Sequence, residues 1–317
     1  MQEQQSTSLL VIGECMMELS GEDDIYHRAF AGDIYNTAVY AKRCKPDLDV
    51  QILTALGTDS ISHAMRGQWA AEGIGDNLVL TSPTSHPGIY SISTDQNGER
   101  SFTYWRKHSA ATEMIKLMTP EVREQLSRFD LIYFSGISVA ILADDDKAQL
   151  LDTMAQLKAQ GTRIAFDPNY RPILWRNKAH AAEWIDKAYR ITDIALPGLA
   201  DHADLFDHKD EGEVSEYLAA IGTEEVVVKA EERGIFGYHK GEEIWRLHIT
   251  PDPAPVDTTG AGDSFAGTYL AQRLTSAPVS EAMEVAAHIA ALVIKHRGAI
   301  VDRDSYANAQ RRQQFNP

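Results

Sequence analysis

Asp257-Thr258-Thr259-Gly260-Ala261-Gly262-Asp263-Ser264-Phe265-Ala266-Gly267 is the stretch on which the reading of this chain turns. Three consecutive small residues, Gly260, Ala261 and Gly262, let the backbone come close to a ligand. The apolar pattern that follows Ser264 predicts a helix over residues 261–273, which puts their N–H groups at its positive end. Such a helix start binds anions, phosphate above all. Asp263 would then lie beside the phosphoryl group. A carboxylate there is repelled unless it accepts the proton of an attacking hydroxyl. On these residues alone the plainer alternative stands level: Asp is a preferred helix cap, and Gly-Xaa-Gly an ordinary turn.

Strands and helices alternate around this turn. Residues 9–12, ending at Gly13, read as a buried strand. Residues 33–43 have helical spacing, 51–56 read as a second strand, and 59–72 as a helix capped by Asp59 or Ser60. Residues 88–106 differ. Two alternating arms flank Asn97-Gly98, a hairpin-turn signal, and predict a half-exposed sheet. Short apolar strands then recur at 130–134, 162–166, 193–196 and 225–229, with helices near 147–160, 179–189 and 214–221. That rhythm predicts the α/β class, with a central, mostly parallel β-sheet flanked by helices. Residues 234–238 and 243–248 read as a late antiparallel pair. Two helices, 261–273 and 280–295, are expected to close the chain, and the polar residues 309–317 to fray. Repeats and low-complexity linkers are absent from the sequence. The expected organisation is one domain over 1–317, with a small β-sheet built from insertions at about 14–34 and 87–110.

The 317 residues are 44% hydrophobic, enough for a sizeable core, and carry a formal net charge of -16. An acidic chain is a poor partner for nucleic acid, and any ATP site must rely on local donors. Two cysteines, Cys15 and Cys44, do not make a disulfide framework, which points to a reducing cytoplasm. Residues 1–8 lack the basic-then-apolar order of a signal peptide, and no run approaches membrane-spanning length, so no membrane partner is expected.

The Asp257–Asp263 stretch matches, position for position, the Asp-Thr-Xaa-Gly-Ala-Gly-Asp signature of the ribokinase-like (PfkB) carbohydrate kinases, which this chain resembles along nearly its whole length. The resemblance implies a ribokinase-like fold with a β-lid, Mg2+ and ATP as cofactors, Gly260, Ala261 and Gly262 as the anion hole, and Asp263 as the base. In keeping with that family, both of the best-known phosphate loops are missing from the sequence. Ala31-Gly32-Asp33-Ile34-Tyr35-Asn36-Thr37-Ala38 resembles the family's first signature, where Gly32, Asp33 and Asn36 would meet the sugar. The 88–106 hairpin fits the lid. Val226-Val227-Val228-Lys229 and Gly234 resemble the elements that flank ATP, joined there by Asn169. Taken alone, Lys229 is a surface lysine at a strand end. One mark departs from the pattern. The family carries Asn-Xaa-Xaa-Glu near magnesium, and here Gly198 and Asp201 stand in those places, which leaves the metal contacts open.

Two further runs bear on the acceptor. In Tyr104-Trp105-Arg106, alternation puts Tyr104 and Arg106 on one face, where a guanidinium would match a carboxylate. In Asp167-Pro168-Asn169-Tyr170-Arg171-Pro172, two prolines stiffen a loop after a strand and could fix Arg171 for a ligand. Without a cavity to face, both arginines are ordinary solvated side chains. With Gly13-Glu14-Cys15-Met16-Met17-Glu18 and Ser135-Gly136-Ile137-Ser138, these runs resemble the branch of the family that phosphorylates the sugar acid 2-keto-3-deoxygluconate, feeding hexuronate breakdown and the Entner-Doudoroff route. The resemblance implies an acceptor site of Gly32, Asp33, Asn36, Tyr90, Tyr104, Arg106 and Arg171, and leaves room for a homodimer through the lid. A neutral-sugar kinase and a non-catalytic sugar or nucleotide sensor remain as alternatives. A dinucleotide oxidoreductase is weak, because the glycine fingerprint after Ile12 is missing.

Overall fold

The computed structural model describes residues 7–22, 25–94 and 100–314. In chain order its strands are β1 (Ser8–Ile12), β2 (Met16–Glu22), β3 (Ile25–Ala31), β4 (Asp49–Leu53), β5 (Ala55–Leu56), β6 (Leu80–Thr81), β7 (Gly88–Thr94), β8 (Arg100–Trp105), β9 (Leu131–Ser135), β10 (Arg163–Asp167), β11 (Ile194–Ala195), β12 (Glu225–Lys229), β13 (Ile235–His239) and β14 (Glu242–Leu247). Eight of them form one sheet in the order β14-β13-β12-β11-β10-β9-β1-β4. From β4 to β12 every pairing is parallel, while β13 and β14 close one edge as the antiparallel pair.

All five residues of β1 and of β9 are buried. Leu10 and Ile12 enter the core on one face of the sheet, Leu9 and Val11 the core on the other. That is why these strands read as unbroken apolar runs rather than alternating ones. The switch in strand order falls at β1, whose neighbours β4 and β9 lie on opposite sides of it. In such sheets the crevice beyond the carboxyl ends of the strands is the natural place for a ligand.

The remaining long strands make a separate four-stranded sheet in the order β3-β2-β7-β8, with β2 and β7 parallel and two antiparallel hairpin pairings outside them. Its inner face buries Met16, Ala31, Tyr90 and Ile92. Ile25, Tyr26 and Trp105 are exposed. The Asn97-Gly98 turn expected between its last two strands lies outside the described residues.

Three expectations are corrected. The strand expected over 51–56 breaks at Thr54: β4 joins the main sheet, and β5 pairs instead with β6. An unforeseen helix, Leu199–Phe206, follows β11. The expected frayed tail begins inside a further helix, Arg303–Gln314, so the two helices do not close the chain. Its charged surface hid one anchoring residue. Tyr306 is buried against Tyr40, with ring centroids 6.0 Å apart, and the Tyr40 hydroxyl ties down the preceding segment by donating to Ala299 O (2.9 Å) and accepting from Val301 N (3.1 Å).

Candidate active site

A cavity of about 720 Å³ lies between the small sheet and the carboxyl edge of the large one. Of the residues expected to serve function, Gly32, Asp33, Asn36, Tyr90, Tyr104, Arg106, Asn169, Arg171, Lys229, Gly260, Gly262 and Asp263 all line it. Ala261 and Gly262 line an adjoining cavity of about 410 Å³, which shares Asp201 and Lys229 with the first. Gly234 lines neither. It forms the tight turn before β13, accepting from Ala230 N (2.9 Å) and donating to Glu231 O (3.1 Å).

The glycine turn opens the helix Ala261–Leu274, with Gly260 as its cap residue in the left-handed conformation (φ 77°). A side chain at Gly260 would also collide with Ala299, so glycine is required there on two counts. Asp263 is not the cap. It sits in the first helical turn, and its Oδ2 accepts from Asn36 Nδ2 (2.8 Å). Asn36 belongs to the helix Asp33–Cys44, which starts right after Gly32. The two helices touch backbone to backbone. A Cβ at Gly267 would come within 2.2 Å of Thr37 O, so only glycine permits this approach and with it the Asn36–Asp263 contact. Asn36 Oδ1 is buried without a hydrogen-bond partner among the described residues, an acceptor open to a ligand hydroxyl.

Enclosure by protein, and then the nearby Asp33 charge, push the Asp263 carboxyl up to about 7, against the opposing hydrogen bond from Asn36. Asp33 is itself buried and hydrogen-bonded by the Ser135 hydroxyl, and burial raises it from the usual carboxylate range. Arg106 and Arg171 both act on Asp33, and Arg171 also on Asp263.

None of the three cations in the cavity stands bare. Lys229 Nζ pairs with Asp167 Oδ2 at 2.6 Å, Arg171 Nη1 donates to Tyr170 O at 2.9 Å, and Arg106 Nη2 meets Glu14 Oε2 at 2.5 Å. The Tyr90 hydroxyl donates to Glu18. Lys229 is thus a cavity lysine rather than a surface one.

Three further carboxylates line the cavity: Asp201, which the sequence set where the family meets magnesium, and Glu14 and Asp167, to which it gave no role. Glu14 follows the end of β1, Asp167 ends β10, and Asp201 lies in the helix after β11. The carboxyl-end rule for parallel sheets would have drawn attention to all three. Their pairing partners could not have been read, being 92 residues away for Glu14 and 62 for Asp167. Burial, and then Asp167, push the Asp201 carboxyl up to about 6. Among the described residues no group of three or more His, Cys, Asp or Glu could hold a metal by itself. Magnesium would have to arrive with phosphate oxygens and water, which is its usual habit. A divalent cation beside Asp201 and Asp167 would favour the charged form of Asp201, which burial and then Asp167 oppose, so these side chains fit a Mg–nucleotide. Gly198 offers no ligand.

Comparison with known proteins agrees with this geometry. The family model "pfkB family carbohydrate kinase" matches residues 6–305. The chain is 39% identical over 299 residues to a 2-dehydro-3-deoxygluconokinase of Dickeya dadantii, covering 93% of this chain and 96% of that one. It is 37% identical over 305 residues to a 2-dehydro-3-deoxygluconokinase of Escherichia coli K12, covering 95% and 99%. Among solved structures, a PfkB protein from Polaromonas superposes with a TM-score of 0.81 at 26% identity, covering 95% of this chain and all of that one. An E. coli protein described as Ribokinase II in complex with ATP and Mg2+ superposes at 0.82 over 98% and 100%; at 20% identity it bears on the fold alone. The fold is ribokinase-like, as the sequence implied.

Proposed function

Because the chain belongs to the pfkB family of carbohydrate kinases, we propose that it transfers the γ-phosphoryl group of ATP to the terminal (6-) hydroxyl of 2-keto-3-deoxygluconate. The observation that carries this reading is the pairing, in one cavity, of a glycine-opened helix start bearing Asp263 with two guanidinium groups, Arg106 and Arg171, suited to an acidic sugar. The identity to proteins named 2-dehydro-3-deoxygluconokinase over almost their full length supports the same acceptor.

In this reading the small sheet is the lid of a single domain and shields the reaction from water, the competing acceptor. The sugar acid lies against Gly32, Asp33, Asn36, Tyr90 and Tyr104, with its carboxylate toward Arg106 and Arg171. The nucleotide lies toward Lys229 and the cavity that contains Ala261. Asp263 takes the proton of the terminal hydroxyl as its oxygen bonds to the γ-phosphorus, and the bond from that phosphorus to the β–γ bridging oxygen breaks to release ADP. The amides of Gly260 and Gly262 face the charge on the transferring group, while the N–H of Ala261 is turned back to Thr258 O (3.2 Å). Asp201 and Asp167 would hold magnesium through water, and that ion supplies neutralisation of phosphate charge. We also propose a cytoplasmic location, supported by the two free cysteines, Cys15 and Cys44.

A panel of acceptors with ADP release as the readout tests the proposal. The keto-deoxy acid should exceed fructose and ribose in kcat/KM by at least roughly tenfold, the discrimination that one charged contact provides. Equal or better use of a neutral sugar would replace this reading with a neutral-sugar kinase. We also propose that two copies pair through the lid, supported by its exposed Ile25, Tyr26 and Trp105. Sedimentation should give a dimer, and a monomer at micromolar concentration would dismiss the pairing.

A further inference from the structure

Four stretches of chain join the small sheet to the rest of the molecule: 13–16, 31–33, 87–88 and 106–109. Glu14 lies where they converge. It is 1% exposed, its Oε2 meets Arg106 Nη2 at 2.5 Å, and its Oε1 accepts from the Ser109 hydroxyl at 2.5 Å. A Cβ added at Gly88 would approach Glu14 Oε1 to 2.7 Å, and one at Gly32 would approach Glu14 O to 2.8 Å. This single residue therefore touches or abuts each of the other three crossings.

A buried carboxylate at such a junction is costly unless it is paired and hydrogen-bonded, and here it is both. The pairing uses only one edge of the Arg106 guanidinium. Arg106 Nε is buried without a hydrogen-bond partner among the described residues, and the side chain lines the cavity. Nε and Nη2 share that edge, so Glu14 holds the guanidinium on one side and leaves Nη1 on the other to meet a ligand. Without that hold, Arg106 has a second anion within electrostatic reach, Asp33 at the neighbouring crossing.

We propose that Glu14 is the positioning residue for Arg106: it pins the guanidinium at the root of the lid so that the remaining donors face the acceptor's carboxylate and stay off Asp33. This rests on the sugar-acid reading above and adds the residue that sets its selectivity. Glu14 itself touches neither reacting atom.

The test is a double-mutant cycle read in steady-state kinetics with the keto-deoxy acid and with ATP. Glu14→Gln keeps the shape of the side chain and an acceptor for Ser109 but removes the charge. It should raise KM for the acid roughly tenfold or more, the scale expected when a buried charge pair is broken, while KM for ATP stays within about twofold. Because the effect runs through Arg106, adding Glu14→Gln to Arg106→Ala should raise the acid's KM no further. Full additivity, or equal losses for acid and ATP, would overturn the proposal, since a merely structural role predicts both. Glu14→Asp keeps the charge but shortens the reach, and it should recover part of the loss seen with Glu14→Gln. If Glu14→Gln does not fold, Ser109→Ala closes the same cycle through the other oxygen of Glu14, with non-additivity supporting the proposal and additivity overturning it. Failure of the acceptor reading shows separately, as a wild-type enzyme that prefers neutral sugars. The cycle is then run on the acceptor that does turn over, where an unchanged KM in Glu14→Gln would sink the positioning role.

Discussion

The two walls of the cavity are built on different principles. The wall at the large sheet presents backbone: a glycine-capped helix start, with Asp263 in its first turn and a neighbouring helix in backbone contact. The wall at the small sheet presents side chains held by other side chains, Arg106 by Glu14 and Tyr90 by Glu18. Backbone geometry of the first kind demands particular small residues in a row, so it leaves a contiguous mark in the sequence. Ion pairs of the second kind demand only that two chain segments meet, and they leave none. On the proposed function the first wall carries the phosphoryl-transfer chemistry and contributes Arg171 to the acceptor, and the second adds Arg106 and Tyr90.

The sharpest way to break that division is Asp263→Asn. If proton acceptance belongs to this wall, kcat should fall by at least roughly 10²-fold with both KM values nearly kept. Near-normal turnover would take Asp263 out of the mechanism. The pH profile refines the same point. With its carboxyl raised to about 7 by enclosure and by Asp33, Asp263 is protonated, and idle as a base, below that value. Log kcat/KM should therefore climb with pH up to about 7 and level off above. A flat profile between pH 5 and 8 would place proton acceptance elsewhere.

A smaller effect is expected at the other wall. Arg106→Ala should raise KM for the acid at least roughly tenfold and leave KM for ATP within about twofold. Equal effects on the two substrates would erase the distinction between the walls.

The same contrast explains what could be read in advance. The parallel sheet was legible because β1 and β9 are apolar throughout, and the helix after Asp59 because its cap has a fixed chemistry: Asp59 Oδ1 accepts from Ile61 N and Ser62 N. The break at Thr54 was not, because Thr54 itself is fully buried and interrupts neither hydrophobicity nor strand propensity. The helix Arg303–Gln314 was hidden because its one anchoring aromatic, Tyr306, depends on Tyr40, 266 positions earlier in the sequence. Within the site, Gly260, Gly262 and Asp263 were legible as a run. Arg106 was legible as a residue type, but the fact that it arrives already paired was not. Gly234 matched the family's pattern but lines neither cavity, forming instead the turn before β13.

The contact at Gly267 carries a last consequence. With Thr37 O where a methyl group would go, the helices bearing Asn36 and Asp263 have no interlayer that could be repacked, so they shift together or not at all. On the proposed mechanism, changes to residues of the small sheet alter which sugar is accepted while Asp263 keeps its place beside Asn36. New substrates can be explored on this scaffold without rebuilding its chemistry.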